Sequence, residues 1–180
     1  VMAEKEAWKI HSAQTAWQLV VINPALVLGP ALSHLSDSES LAIMKDLLTG
    51  RYRMGAPELC LGFVDVRDVA AAHLLALENE KAEGRYILSE RTASIMDLAQ
   101  TVRQKFGSKY KLPLIKSPKL MLHLVGWLFG LTNKFISRNV GYPLKLNATK
   151  SKQDLGLKYT PLEQTVEDMV LQMQKDKLVD

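Results

Sequence analysis

The sequence predicts an α/β fold built on parallel strands, and three observations carry that expectation. Along residues 1–107 the patterns alternate helix, strand, helix, strand, helix, strand, helix, as crossover helices between parallel strands require. Residues 19–22, Leu-Val-Val-Ile, are an unbroken apolar run rich in β-branched side chains, which suits a strand buried on both faces. Of the 180 residues 47% are apolar and 23% charged, close to the globular average and enough for a packed core.

Residues 1–16 read as a helix of Ala, Glu and Lys, with Met2, Trp8, Ile10 and Ala13 placed to form a buried side. No capping residue precedes it, so the natural sequence is expected to continue upstream. The strand at 18–22 follows, and pairing should end at Asn23-Pro24, because proline has no N–H for a ladder bond. The chain should then leave through an apolar exit loop, Ala25, Leu26, Val27 and Leu28, and turn at Gly29-Pro30. In open α/β sheets ligands sit beyond the carboxyl ends of the strands. A proline-fixed apolar lip there suits the flat face of an aromatic or heteroaromatic ring; an ordinary strand end is the plainer reading of the same residues.

Residues 33–40 form a polar loop leading into a helix over 40–48, closed by Gly50. Ser36, Asp37 and Ser38 are N-cap candidates whose hydroxyls could also meet a phosphate, with capping the expected role. A strand at 59–65 leads into a helix at 66–78, with Asp65 at its cap and Asp68 where the helix dipole favours an anion. Val69, Ala72, His73 and Ala76 share one face of it. His73 has no carboxylate or nucleophile spaced to work with it, so it is expected to be structural. A strand at 84–89 precedes a helix at 95–106, capped by Thr92 or Ser94, with Ile95, Leu98, Val102 and Phe106 as its buried stripe.

After Gly107 the character changes. An extended stretch surrounds Pro113, a very apolar helix spans 118–131, and a mixed segment follows at 135–142. A short polar helix falls within 147–156, and an amphipathic helix over 161–175 carries Pro161 in its first turn. Residues 108–180 thus read as a mostly helical subdomain laid against the sheet of residues 1–107.

Charge and cysteine content narrow the function classes. The formal charge is +4, and the basic run Arg103, Lys105, Lys109, Lys111, Lys116 and Lys119 lacks the interleaved aromatics of a nucleic-acid surface, so no nucleic-acid partner is expected. Cys60 is the only cysteine, so no intrachain disulfide can form, and no Cys/His cluster has metal-ligand spacing. There is no signal-peptide pattern and no apolar run of the ~20 residues that a membrane span needs. The expectation is a soluble cytoplasmic protein without membrane association.

Three stretches taken together carry a resemblance. Asn-Pro-Ala-Leu-Val-Leu-Gly-Pro (23–30), Phe-Val-Asp-Val-Arg-Asp-Val-Ala-Ala-Ala-His (63–73) and Gly-Arg-Tyr-Ile-Leu-Ser (84–89) resemble the extended short-chain dehydrogenase/reductases of the NAD-dependent epimerase/dehydratase superfamily. The branch most alike contains dihydroflavonol 4-reductase and cinnamoyl-CoA reductase. The opening Val-Met-Ala-Glu-Lys-Glu-Ala-Trp is similar to the segment that follows the catalytic Tyr-x-x-x-Lys in that branch.

The resemblance implies the carboxyl-terminal part of a Rossmann-type parallel sheet, joined to a helical substrate-binding subdomain. It also implies a lack. No Gly-x-x-Gly-x-x-Gly occurs, and Tyr52, Tyr86 and Tyr110 are followed four places on by Ala56, Glu90 and Leu114 rather than by lysine. No catalytic residue is therefore assigned within this chain, which on its own is expected to be inactive. By position, Pro24, Ala25, Leu26 and Val27 would lie against the nicotinamide and its ribose, and Ser36 and Ser38 near cofactor ribose or phosphate. Asn23 would touch substrate. The implied cofactor is NADP, with NAD as the alternative. The implied substrate is an aromatic or lipophilic ketone or aldehyde, its pocket lined by residues 118–142.

Two alternatives stand beside this. One is a nucleotide-sugar epimerase/dehydratase or sterol-type dehydrogenase of the same superfamily. The other is a non-catalytic binding or assembly module that self-associates through an incomplete sheet edge.

Overall fold

In the computed structural model, which describes residues 2–31 and 38–180, the strands form two ladders joined by the chain itself. In the first, β1 (Val20–Pro24) pairs in parallel with β4 (Gly84–Leu88). In the second, β3 (Cys60–Asp65) lies between β2 (Leu26–Leu28), in parallel, and β5 (Arg91–Ser94), antiparallel. Only Ala25 separates β1 from β2. The expected exit loop is thus a strand: the chain leaves one ladder and enters the next in a single residue. β5 was not legible as a strand, because Arg-Thr-Ala-Ser has no apolar run to announce it.

Side chains alternate across a strand, and here they feed two cores. Leu26, Leu28 and Phe63 join a cluster with Leu47, Leu98 and Val166, while Val27 and Val64 join one with Ala72, Tyr86 and Leu88. The apolar run at 19–22, expected to be buried on both faces, is instead half-buried in β1; it is β2 and β3 that feed a core on each side.

The helices cover these faces. α2 (Glu39–Leu48) is capped by Ser38, whose Oγ accepts from Leu41 N at 3.3 Å, and Gly50 follows it at φ +80°. α3 (Val66–Glu78) starts on Asp65. α4 (Ile95–Phe106) opens with a capping box between Ser94 and Asp97. α8 (Leu162–Lys175) packs on α4 and buries Val166, Met169, Val170 and Met173 in the main core, as do Tyr110 and Leu112, so the core runs on past residue 107. Pro161 is the N-cap of α8 rather than a first-turn residue.

Two helical expectations are corrected. α1 (Met2–Ser12) buries no residue, and Met2 is 86% exposed; an Arg85–Glu4 ion pair and the Arg85 guanidinium 5.7 Å from the centre of the Trp8 ring hold it to β4 instead. The apolar helix expected over 118–131 is two pieces, α5 (Lys119–Val125) and a 3-10 turn, Gly126–Phe129. The break falls at Gly126, where a Cβ would come within 2.8 Å of Ile136 Cδ1, so glycine lets α6 (Asn133–Asn139) pack this close. These pieces share a small core of Leu122, Ile136 and Val140. The short polar helix is α7 (Thr149–Asp154).

Candidate functional site

The carboxyl end of β1 is where the two ladders meet. Pairing with β4 does not stop at Pro24: Ala25 N donates to Leu88 O at 2.9 Å. In a parallel ladder the residues that exchange bonds with one neighbour alternate with those that face the other side. Asn23 and Ala25 therefore bond toward β4, and Pro24 turns its N side toward the free edge of β1, which has no strand against it among the described residues. Proline costs nothing there. A strand laid on that free edge would lose its last rung at Pro24, so a gap opens at the carboxyl end of β1. Pro24 is exposed, and Asn23, Ala25, Leu26 and Val27 are half-buried.

The junction is packed tightly from behind. A Cβ on Gly62 would meet Leu146 Cδ1 at 2.4 Å, Ala25 Cβ at 3.0 Å and Ser89 Oγ at 3.1 Å, so only glycine lets β3 approach Ala25 this closely. Ser38 is exposed and occupied as a cap. Ser36 lies outside the described residues.

Beside this junction the end of β3 is held by a polar network. Asp65 is 1% exposed. Its Oδ1 accepts from Arg67 N and Nε, each at 2.8 Å, and its Oδ2 accepts from Thr165 Oγ1 at 2.8 Å and pairs with Arg67 Nη2 at 2.7 Å. Arg67 also reaches Asp168 at 2.7 Å. Burial alone would raise the Asp65 carboxyl, but the bonds from Arg67 and Thr165 outweigh it and hold it below the ordinary carboxylate value. Asp68 accepts from Thr160 N and Oγ1, both at 2.8 Å. Asp65 therefore ties the end of β3 to α8, and Asp68 ties α3 to the segment before α8, so both carboxylates hold the fold together.

Two concavities lie elsewhere, neither of them lined by residues 23–27. A groove of about 620 Å³ runs between β1 and α3, lined by Val20, Ile22, His73 and Leu77. His73 Nδ1 contacts Val69 O at 2.8 Å and no acid or nucleophile. The second, a cavity of about 590 Å³, lies between α2 and the α5–α6 helices; Tyr52, Leu61, Met121, Val125, Leu131 and Phe135 line it. The segment before residue 60 and Ile95 contribute to it, which the sequence did not reveal, because their apolar residues sit in irregular backbone or inside a helix stripe. Asp46 and Arg51, 3.5 Å apart, also line this cavity, and Arg51 Nη2 donates to Leu128 O at 3.4 Å. Burial raises the Tyr52 phenol, and the Asp46 carboxylate adds to that. Among the described residues no group of three His, Cys, Asp or Glu could hold a metal ion.

No family model matches the chain. Similar proteins, however, align along nearly all of it. A cinnamoyl-CoA reductase of Medicago truncatula is 30% identical over 99% of this chain and 48% of its own length. Cinnamoyl-CoA reductase 2 of Arabidopsis thaliana is 33% identical over 97% of this chain and 46% of its own. The crystal structure of Gre2 from Candida albicans in complex with NADPH superposes with a TM-score of 0.72 at 31% identity, over 97% of this chain and 49% of that one. The chain is similar to the extended short-chain dehydrogenase/reductases. It corresponds to their carboxyl-terminal portion and spans about half the length of the curated relatives it matches. The three stretches that carry the resemblance lie together: 23–30, 63–73 and 84–89 form β1–β2, β3–α3 and β4, the strands that meet at Ala25.

Proposed function

We propose that the protein is an NADP(H)-dependent reductase of an aromatic or lipophilic ketone or aldehyde, with NAD as the alternative cofactor. The observation that carries this is the placement of Pro24, exposed at the carboxyl end of a strand whose open side it cannot extend. That is the crevice position for a ligand in an open α/β sheet. Relatives add weight: one is a methylglyoxal reductase named as NADPH-dependent, 28% identical over 96% of this chain.

The residues fit the group. Pro24 and Ala25 offer an apolar wall that excludes water and holds a flat ring at reacting distance. Leu26 and Val27, anchored in opposite cores, fix that wall's backbone. Asn23 supplies an amide to the substrate side, and Ser38 a hydroxyl toward ribose or phosphate beyond its capping bond. The bound cofactor supplies hydride. The cavity between α2 and α5–α6 receives the apolar body of the substrate.

Tyrosine–lysine proton chemistry lies outside this chain, so the purified chain alone should consume no NADPH in an absorbance assay. Joined to the half that carries the glycine-rich loop and the Tyr/Lys pair, it should bind NADPH, and Pro24→Glu should weaken that binding about tenfold, by placing an anion at the lip. Turnover by the chain alone, or a joined protein that ignores NADPH, would sink the reading. The free edge of β1 also gives the isolated chain a surface for self-association, which light scattering would detect.

A further inference from the structure

Buried hydroxyls are normally bonded within a protein, because taking one out of water without compensation is costly. The cavity between α2 and the α5–α6 helices has two that are not. Ser117 lines it and is 7% exposed, yet among the described residues its Oγ has no hydrogen-bond partner. That atom is not sealed in the interior either, so it opens to the cavity. Tyr52 also lines the cavity, half-buried, and its phenol has no partner among the described residues. The backbone fixes both residues. Ser117 N donates to Ala56 O at 2.8 Å and Ala56 N to Ile115 O at 3.1 Å, while Gly55 N donates to Tyr52 O at 2.9 Å. A Cβ on Gly55 would stand 2.7 Å from Ser117 Oγ, so that hydroxyl lies against the turn that carries Tyr52. The other polar side chains of the lining are engaged or exposed. Thr132 Oγ1 accepts from Phe135 N at 3.2 Å, Asp46 and Arg51 pair at 3.5 Å, and Glu39 is exposed.

We propose that this cavity selects a neutral guest whose apolar, ring-like body carries a hydroxyl, and that Tyr52 and Ser117 are the specificity residues that read that hydroxyl. Each can donate one bond and accept another, as the guest hydroxyl can. Burial and the Asp46 carboxylate keep the Tyr52 phenol protonated, so it has a proton to donate. Met121, Leu131 and Phe135 offer the ring an apolar bed, and a volume of about 590 Å³ suits a small molecule. A bare hydrocarbon would leave both hydroxyls unpaired, and a site built to bond a hydroxyl rejects the analogue that lacks it. An anion is disfavoured, because Arg51, the cation on this lining, already pairs with Asp46 and donates to Leu128 O. The inference rests on the proposed function only in calling the guest a substrate. There it narrows the aromatic or lipophilic carbonyl compound to one that bears a hydroxyl away from the carbonyl.

The test is equilibrium dialysis of the full chain against 2-naphthol, naphthalene and 2-naphthoate, which share one ring system and differ in the group it bears. 2-Naphthol should bind about tenfold or more tightly than either of the others. Tyr52→Phe and Ser117→Ala each remove a hydroxyl and keep the shape of the wall. Each should cut the preference for 2-naphthol over naphthalene about threefold or more, and the two together should abolish it, with circular dichroism unchanged. Equal affinity for 2-naphthol and naphthalene overturns the proposal, as does tighter binding of 2-naphthoate. A preference that survives the double substitution overturns it too, as does a chain that binds none of the three. The assay contains no NADPH, so it is separate from the cofactor reading: a joined protein that ignores NADPH, while this chain still prefers 2-naphthol, sinks that reading alone.

Discussion

The end of β3 and the α5–α6 unit are held by opposite means. At the first, a buried carboxylate is satisfied from three sides by Arg67, Thr165 and the start of α3, and the link reaches α8 a hundred residues away in sequence. At the second, three buried side chains form a core of their own, and the ties to the rest of the chain include an arginine at the cavity and a backbone bond from Gly141 N to Glu58 O at 2.8 Å. Polar networks in a low-dielectric setting have one good geometry, whereas a small apolar cluster tolerates rearrangement. The scaffold of the proposed cofactor slot is therefore rigid, and the wall of the proposed substrate cavity is the part free to adapt.

The sharpest way to break this contrast is at Asp65. Asp65→Ala removes a helix cap and several charge-assisted bonds and should cost about 3 kcal/mol in urea unfolding. A cost below about 1 kcal/mol would mean that the junction is no more constrained than the helices. Ile136→Ala should behave differently. It empties the small core and should strip hydrogen-exchange protection from residues 119–139 by about 2 kcal/mol or more, while the global transition moves little. If both fall together, the two regions are one cooperative unit.

Gly62→Ala should destabilise by about 1–3 kcal/mol through overpacking against Ala25 and Leu146. Adding Leu146→Ala should recover part of the loss, a coupling that a double-mutant cycle would measure. Acid sharpens the comparison further. The carboxyl of Asp65 sits below its ordinary value in the fold, so its contribution is present above about pH 4 and is lost as pH falls through the folded value. Unfolding free energy should drop more steeply below pH 4 for the parent than for Asp65→Asn.

The smallest effect is at Glu90. Burial first, then the Glu163 and Asp68 carboxylates, raise its pKa despite Arg91, and its Oε2 accepts no hydrogen bond. A raised carboxyl means that the fold loses stability as pH rises through the ordinary glutamate value toward the folded one. Glu90→Gln should gain about 0.5 kcal/mol at pH 7 and nothing below pH 4.

What the sequence made legible follows the same division. The caps and the strands β1, β3 and β4 were readable because their causes are local, as with Ser94 and Asp97, Asp65 before an alanine-rich run, and Gly50 after α2, whereas β2 and β5 were not. The role of Asn23-Pro24 as a strand end was half readable. The missing N–H was evident, but which side of the strand it faced depends on register with β4, a property of two distant segments. The partners of Asp65 and Asp68 on α8 and at Thr160 left no local trace. Nor did the break at Gly126, beside which a neighbouring helix packs. The apolar periodicity of 118–131 was real, yet periodicity alone could not tell a face turned to the interior from one turned outward.

The single-residue passage at Ala25 has one more effect. Leu26 and Val27 are rooted on opposite sides of the sheet, so a molecule pressing on Pro24 pushes against both halves of the interior at once. Such a lip cannot yield by bending. On the proposed reading, whatever fits it does so by its own shape, and discrimination between candidate guests falls to the softer helical wall.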